Sequence, residues 1–237
     1  MVQLNLYNNM SAAEKYLIGN WKSNKNSTDV AGFLKIFAHK CKNIKKIPLK
    51  IPKIVICPSY IHLPLSRDLI KKYNLPVELG AQNISPYGEG AFTGEVSASQ
   101  LKEYVRYVII GHSERRSNFA ENEKILADKA KNALTNGLKV IYCVPDSKIP
   151  VPDGVAVIAY EPVFAIGTGK PDTPENANRT IGVIKKNYIN TPVIYGGSVT
   201  SENIKSFMEK EYIDGVLPGK SSLDPISFYK MLINAAG

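Results

Sequence analysis

Short apolar runs rich in β-branched residues recur along the chain, with stretches of helical spacing between them. That alternation is the sequence sign of βαβ units and a parallel sheet. The runs begin near Tyr16 (YLIGN), Lys53 (KIVIC), Val77 (VELGAQ), Tyr107 (YVIIG), Leu138 (LKVIYC), Val155 (VAVIAY), Thr191 (TPVIY) and Gly215 (GVLPG). Eight such units in an α/β chain match a closed (β/α)8 barrel better than an open sheet of five or six strands. The intervening segments Ser27 to Asn43, Glu121 to Asn136, Pro174 to Tyr188, Ser201 to Lys210 and Pro225 to Asn234 read as helices. Two carry start signals, Thr173 before Pro174 and Glu175, and Thr200-Ser201-Glu202.

One crossover breaks the pattern. Between Cys143 and Val155 runs VPDSKIPVPDG, whose three prolines exclude a helix of useful length. A parallel crossover normally takes about a dozen residues or more, so this one is expected to run extended. The helix between strands five and six is predicted to be missing. The outer apolar faces of those strands then need other cover, from the residues before Lys15 or from a neighbouring subunit.

Length and composition fit one domain. The chain has 237 residues, of which 44% are hydrophobic, and barrels of about 250 residues commonly form a single domain. Residues 1–237 are therefore read as one barrel, with 1–15 as an N-terminal extension. No apolar run approaches the roughly 18 residues of a membrane span, and the first residues lack the order of a secretion signal. The expectation is a cytoplasmic protein without membrane partners. Cys41, Cys57 and Cys143 are an odd number with no metal-type spacing, so neither a disulfide framework nor a metal site is expected.

The formal charge of +9 admits nucleic acid, a membrane surface or an anionic substrate. The excess is densest from Lys35 to Lys53, where seven lysines are spaced without an aromatic ladder for stacking bases. This is read as a solvated helix face, with no nucleic-acid partner.

Active sites of α/β barrels sit at the carboxyl ends of the strands. Here those ends are Gly19-Asn20-Trp21-Lys22, then Gly111-His112-Ser113-Glu114-Arg115-Arg116, Tyr160-Glu161-Pro162, Tyr195-Gly196-Gly197-Ser198 and Pro218-Gly219-Lys220. A lysine, a histidine and a glutamate thus converge on one rim. The glycine-rich turns after strands seven and eight offer backbone N–H groups to an anion. Each feature alone has a bland reading, as a turn, a surface lysine or a structural ion pair. Arg115 and Arg116 are left as structural salt-bridge formers at a subunit contact. It is the coincidence of the set at barrel strand ends that favours a site.

The strings GNWKSN (19–24), GAFTGE (90–95), GHSERR (111–116), AYEPVFAIGTGK (159–170) and YGGSV (195–199) resemble those of the triosephosphate isomerase family, in the family's order and at its spacing. The resemblance runs from Tyr16 to the C-terminus. It implies a TIM barrel that interconverts dihydroxyacetone phosphate and D-glyceraldehyde 3-phosphate in glycolysis and gluconeogenesis, as a homodimer and without a cofactor. Carried over, the family roles fall on Glu161 as base, His112 as electrophile, and Lys22 with Asn20 as stabilisers of substrate and enediolate charge. Glu114 would hold Lys22. Phosphate would lie against backbone N–H groups of Gly167, Ser198, Gly219 and Lys220. Thr93 would reach across a dimer to the partner's site. A glutamate base beside a neutral histidine is the standard worked case for triosephosphate isomerase itself, so the resemblance supplies that pattern. What this chain adds is that His112 precedes SERR and a helix, a context that disfavours an imidazolium.

The resemblance also reads Pro162 to Pro171 as a lid whose small residues close over the phosphate and exclude water. Departures from the family pattern concentrate there. Phe164 replaces a tryptophan, and Pro145-Asp146 replace Gly-Glu, which together remove an N–H donor and shorten its acceptor. Pro171 and Asp172 differ from the usual lid exit. Lys220 replaces a glycine; its ammonium either adds attraction to the phosphate or points into solvent. Two rivals remain in view. A metal-dependent phosphate-binding barrel such as an epimerase would need ligands beyond His39, His62 and His112. A catalytically impaired barrel retained as a binding protein would have to explain the intact Lys22, His112 and Glu161.

Overall fold

The computed structural model describes residues 14–42, 44, 50–162 and 172–236. Along each apolar run, successive side chains part to opposite faces of a closed sheet. β1 (Tyr16–Asn20), β2 (Lys53–Cys57), β3 (Val77–Ala81), β4 (Tyr107–Ile110), β5 (Lys139–Val144), β6 (Val157–Tyr160), β7 (Val193–Tyr195) and β8 (Gly215–Val216) follow one another around the barrel. Each pairs in parallel with the next, and β8 returns to β1 with Tyr16 opposite Gly215. Ile18, Val55, Ile109, Ile141, Val157 and Ile194 form one buried cluster inside the barrel. Their neighbours Leu17, Ile54, Val108, Val140, Ile158 and Val193 join a larger cluster under the helices. Burial on both faces explains why these strands are apolar throughout.

The helices are α1 (Ser27–Cys41), α2 (Leu63–Lys72), α3 (Ala98–Leu101), α4 (Ser113–Asn118), α5 (Glu123–Thr135), α6 (Pro174–Asn187), α7 (Ile204–Met208) and α8 (Pro225–Ala235). α1 starts where Asn26 and Asp29 cap each other's backbone N–H groups. It buries Val30, Phe33, Leu34, Phe37 and Cys41, a stripe at helical spacing. Phe33 and Phe37 meet Phe228 of α8 at ring-centroid distances of 6.1 and 5.5 Å. α6 opens as its signal predicts, with the Thr173 hydroxyl accepting from the Asn176 N–H at 3.2 Å. α7 starts later than predicted. Local side-chain bonds fill the preceding turn, with the Thr200 N–H donating to Asn203 Oδ1 at 2.8 Å and the Glu202 N–H to Thr200 Oγ1 at 3.3 Å, and these compete with helix.

No helix joins β5 to β6, as the prolines require. The extended crossover itself adds apolar side chains to the core. Val151 and Val155 are buried and Ile149 packs beside them, while the Val151 N–H donates to the Tyr188 hydroxyl at the end of α6 at 2.9 Å. The crossover thus adds cover of its own to that expected from the N-terminal segment or a neighbouring subunit. Residues 1–13 lie outside the described residues. So do Asn43 and 45–49 of the lysine-rich stretch, in which Lys35, Lys40, Lys42 and Lys50 are exposed and Lys53 pairs with Glu14.

Candidate active site

The carboxyl ends of the strands enclose a cavity of about 660 Å³, lined by Asn20, Lys22, His112, Ser198, Gly219 and Lys220 among others. β1 delivers the first two. Trp21 is buried to 1% exposure, and its indole N–H donates to the Ser222 carbonyl at 3.1 Å, which anchors the turn. Lys22 follows in the left-handed region at φ 52°, a costly backbone for a residue with a side chain and one that persists only under restraint. The restraint is visible. The Lys22 N–H donates to Asn20 Oδ1 at 3.1 Å, and its carbonyl accepts from Gln82 Nε2 at 2.8 Å and Ser59 Oγ at 3.2 Å. Its ammonium lies 2.5 Å from Glu114 Oε1.

β4 delivers His112. Gly111, at φ 76°, turns the chain where a side chain would be strained and would meet Arg116 at 3.0 Å. His112 then precedes α4, and its Nδ1 accepts from the Glu114 N–H at 3.2 Å. An accepting Nδ1 carries no proton, so the neutral ring holds its hydrogen on Nε2. That nitrogen lies 3.2 Å from Glu161 Oε1.

β6 delivers Glu161, 1% exposed. Its Oε2 accepts from the Ser113 N–H at 2.9 Å, while Oε1 is buried without a hydrogen bond. Such a group is held at a cost that function commonly explains. Gly196 makes room for it, since a Cβ there would stand 2.7 Å from Glu161 Cγ. Beneath it lies Cys143, whose thiol is held protonated by burial and, secondarily, by the Glu161 charge.

Of the residues predicted from sequence, the chain brings together Asn20, Lys22, His112, Glu114, Glu161, Ser198, Gly219 and Lys220. Thr93 stands apart, exposed in the loop between β3 and α3 beside Phe92, whose ring stacks on Tyr87 at 4.3 Å. Gly167 and Phe164, with the rest of the expected lid from 163 to 171, lie outside the described residues. Arg115 pairs with Glu121 at 2.5 Å, and Arg116 pairs with Glu123 and also binds the carbonyls of Gly111 and Cys143, so both form structural ion pairs within the chain. Sequence reading missed Gln82 and Ser113. Gln82 follows a strand end as a polar residue after an apolar run, which was the available signal; Ser113 acts through its backbone and leaves none. A second recess of about 320 Å³ opens beside Lys22, between Tyr60, Asn83, Arg115 and Phe119. Among the described residues no group of three or more histidines, cysteines and carboxylates is placed to hold a metal, and no helix is long and apolar enough to cross a membrane.

Comparison with known proteins agrees with this geometry. A family model described as triosephosphate isomerase matches residues 15–154 and 153–236. The triosephosphate isomerase of Mesomycoplasma hyopneumoniae (strain 232) is 40% identical over 94% of this chain and 100% of its own length. That of Mycoplasmopsis pulmonis is 39% identical over 91% of this chain and 96% of its own. That of Carboxydothermus hydrogenoformans is 36% identical, over 90% and 95%. With strand-end residues, cavity and near-full-length relatives in accord, the chain belongs to the triosephosphate isomerase family.

Proposed function

We propose that the cavity interconverts dihydroxyacetone phosphate and D-glyceraldehyde 3-phosphate through an enediolate, with Glu161 as base. Removing a weakly acidic C–H proton needs a well-placed, poorly solvated carboxylate. Glu161 meets the second condition where it lies, and meets the first by turning from the Ser113 amide into the cavity. Oε1 gives up no hydrogen bond in that turn. His112 is the electrophile, donating from Nε2 to the oxygen on which charge develops. Lys22 and Asn20 stabilise that charge, and Glu114 fixes the Lys22 ammonium. The phosphate lies against backbone N–H groups of Ser198, Gly219 and Lys220, with Gly167 as a further contact. The proton taken from one carbon returns to its neighbour, so the isomerisation balances without a co-reactant.

The observation that carries this reading is the 3.2 Å approach of His112 Nε2 to Glu161 Oε1 beside a cavity that also holds Lys22. A coupled assay on glyceraldehyde 3-phosphate tests it. The wild type should turn over, and Glu161→Asp, which withdraws the carboxylate by about one ångström, should lower kcat roughly a hundredfold. A folded wild type without turnover would favour the retained binding protein instead.

The working form is proposed to be a cytoplasmic homodimer of single-domain barrels. Phe119, which lines the recess, is 62% exposed, Ile61 next to the lining residue Tyr60 is 81% exposed, and Tyr87 and Phe92 are exposed in the segment that carries Thr93. A second copy's loop entering the recess would cover these side chains and set Thr93 near Asn20.

A further inference from the structure

Lys220 brings to the cavity a cation where the family has a glycine. A sugar phosphate is close to a dianion at neutral pH. The Lys22 ammonium is already matched by Glu114 at 2.5 Å, and Glu161 adds a second carboxylate beside the neutral His112. Without another cation the ionised side chains here sum to a negative charge facing a negative ligand. Backbone N–H groups attract such a ligand on their own, and a cation beside them adds to that attraction.

We propose that the Lys220 side chain adds a positive charge as a ligand of the substrate phosphate, beyond the backbone N–H that any residue at this position would offer. The proposal rests on the isomerase reading above. Lys220 lines the cavity beside Gly219. The backbone there packs so closely on Lys22 that a Cβ at position 219 would stand 3.2 Å from Lys22 Cε. The turn it opens is pinned. Ser222 donates to the Gly219 carbonyl through its N–H at 2.9 Å and its hydroxyl at 2.7 Å, and the Ser222 carbonyl accepts from Trp21.

The backbone at Lys220 is therefore fixed while its ammonium stays uncommitted: the side chain is exposed and makes no ion pair or hydrogen bond among the described residues. Its neighbours are occupied. Lys25 donates to the Leu223 carbonyl at 2.6 Å and lies over the Trp21 and Phe33 rings, and Asp224 accepts from the Ser227 N–H at 2.7 Å as the cap of α8. Lys220 is thus positioned to tell phosphorylated from unphosphorylated trioses and to draw the anion in.

The test uses the full chain as wild type, Lys220→Met and Lys220→Arg. Inorganic phosphate binding is measured by ³¹P line broadening, and KM and kcat for glyceraldehyde 3-phosphate at low and at raised ionic strength. Lys220→Met should weaken phosphate binding and raise KM about five- to tenfold at low salt. The difference should shrink as salt screens it, kcat should stay within about twofold, and Lys220→Arg should recover most of the loss. Phosphate affinity and KM within about twofold of wild type at low salt would overturn the assignment. A wild type without turnover would remove the isomerase reading, and the line-broadening comparison would still decide whether Lys220 holds phosphate.

Discussion

The two ends of the barrel are built from the same eight strands and treat charge in opposite ways. At the amino ends, ionic groups meet other ionic or polar groups of the chain. Lys53 pairs with Glu14 at 2.7 Å, Lys185 with Asp214 at 2.6 Å, and Lys15 donates to the Ile213 carbonyl at 2.5 Å. The two oxygens left there without a hydrogen bond, Glu78 Oε2 and Tyr107 Oη, still have cations beside them: Arg106 at 3.4 Å from the first, and Lys139 at 5.5 Å from the Tyr107 ring. At the carboxyl ends Glu161 Oε1 faces a neutral imidazole, Lys22 sits at a strained φ, and Lys220 has no partner among the described residues. One end is closed on itself. The other keeps capacity in reserve, which is what a site for an anionic, reacting ligand requires.

Exchanging the effects of mutation at the two ends would break this contrast. Glu161→Asp should lose turnover while keeping its urea midpoint, because the group it alters is poorly satisfied. Asp214→Ala should do the reverse. Asp214 is 2% exposed, and its Oδ2 accepts from the Val193 N–H at 2.8 Å and from Lys185. Removing it orphans a buried N–H and leaves Lys185 and Lys15 uncompensated, at a cost of about 3 kcal/mol. Urea denaturation should register that loss with kcat unchanged. A midpoint within error of wild type would show that the amino-end network is ornamental.

The interior between the ends sharpens the comparison through pH. Burial raises the thiol pKa of Cys41 to about 12 and pushes those of Cys57 and Cys143 up as well. A group whose folded pKa lies above its unfolded value contributes stability that is intact below the unfolded value, about 8.5 for a thiol, and is lost as pH rises toward the folded one. Stability should therefore fall above about pH 8.5, by up to about 1.4 kcal/mol per thiol for each pH unit. Lys15, Lys25 and Lys129, whose pKa values burial lowers, act in the opposite sense below the ordinary lysine value. Buried tyrosines such as Tyr142 and Tyr195, whose pKa values burial also raises, add to the fall as pH nears 10. The thiol share is therefore read by comparing urea midpoints of wild type and Cys143→Ala at about pH 8 and 9.5, and Cys143→Ala should flatten the slope. A flat wild-type profile would mean that the thiols ionise within the folded protein.

The legible part of this molecule is whatever a residue does through its own side chain at a strand end or a cap. Lys22, His112 and Glu161 carried the site because barrel strands aim their carboxyl ends at one rim, and Thr173 announced α6 because its hydroxyl has one good use before Pro174. The illegible part acts through space or through the backbone. Ser113 contributes an amide that every residue has. Gln82 matters only because β3 sets it beside the carbonyl of Lys22, and Lys220 becomes informative once Glu114 is seen to cancel Lys22. The crossover shows both sides: its prolines forbade a helix, yet nothing in their spacing foretold that Val151 and Tyr188 would meet.

That contact supplies the smallest effect, on the connection that runs outside the barrel from one end to the other. If a single crossover really replaces a helix, its hold on α6 should be measurable. Tyr188→Phe keeps the ring and removes the oxygen that accepts from the Val151 N–H at 2.9 Å, which should cost about 1 kcal/mol. Because the crossover joins the core through the buried side chains of Val151 and Val155, the loss should appear as faster amide exchange along residues 145–156 before it appears in the global midpoint. Neither kcat nor phosphate binding should change, since β6 holds Glu161 through its own ladder, with the Glu161 N–H donating to the Val144 carbonyl at 2.8 Å. If exchange along the crossover matched wild type, the Val151 and Val155 side chains alone would account for the cover, and the tyrosine would be incidental to it.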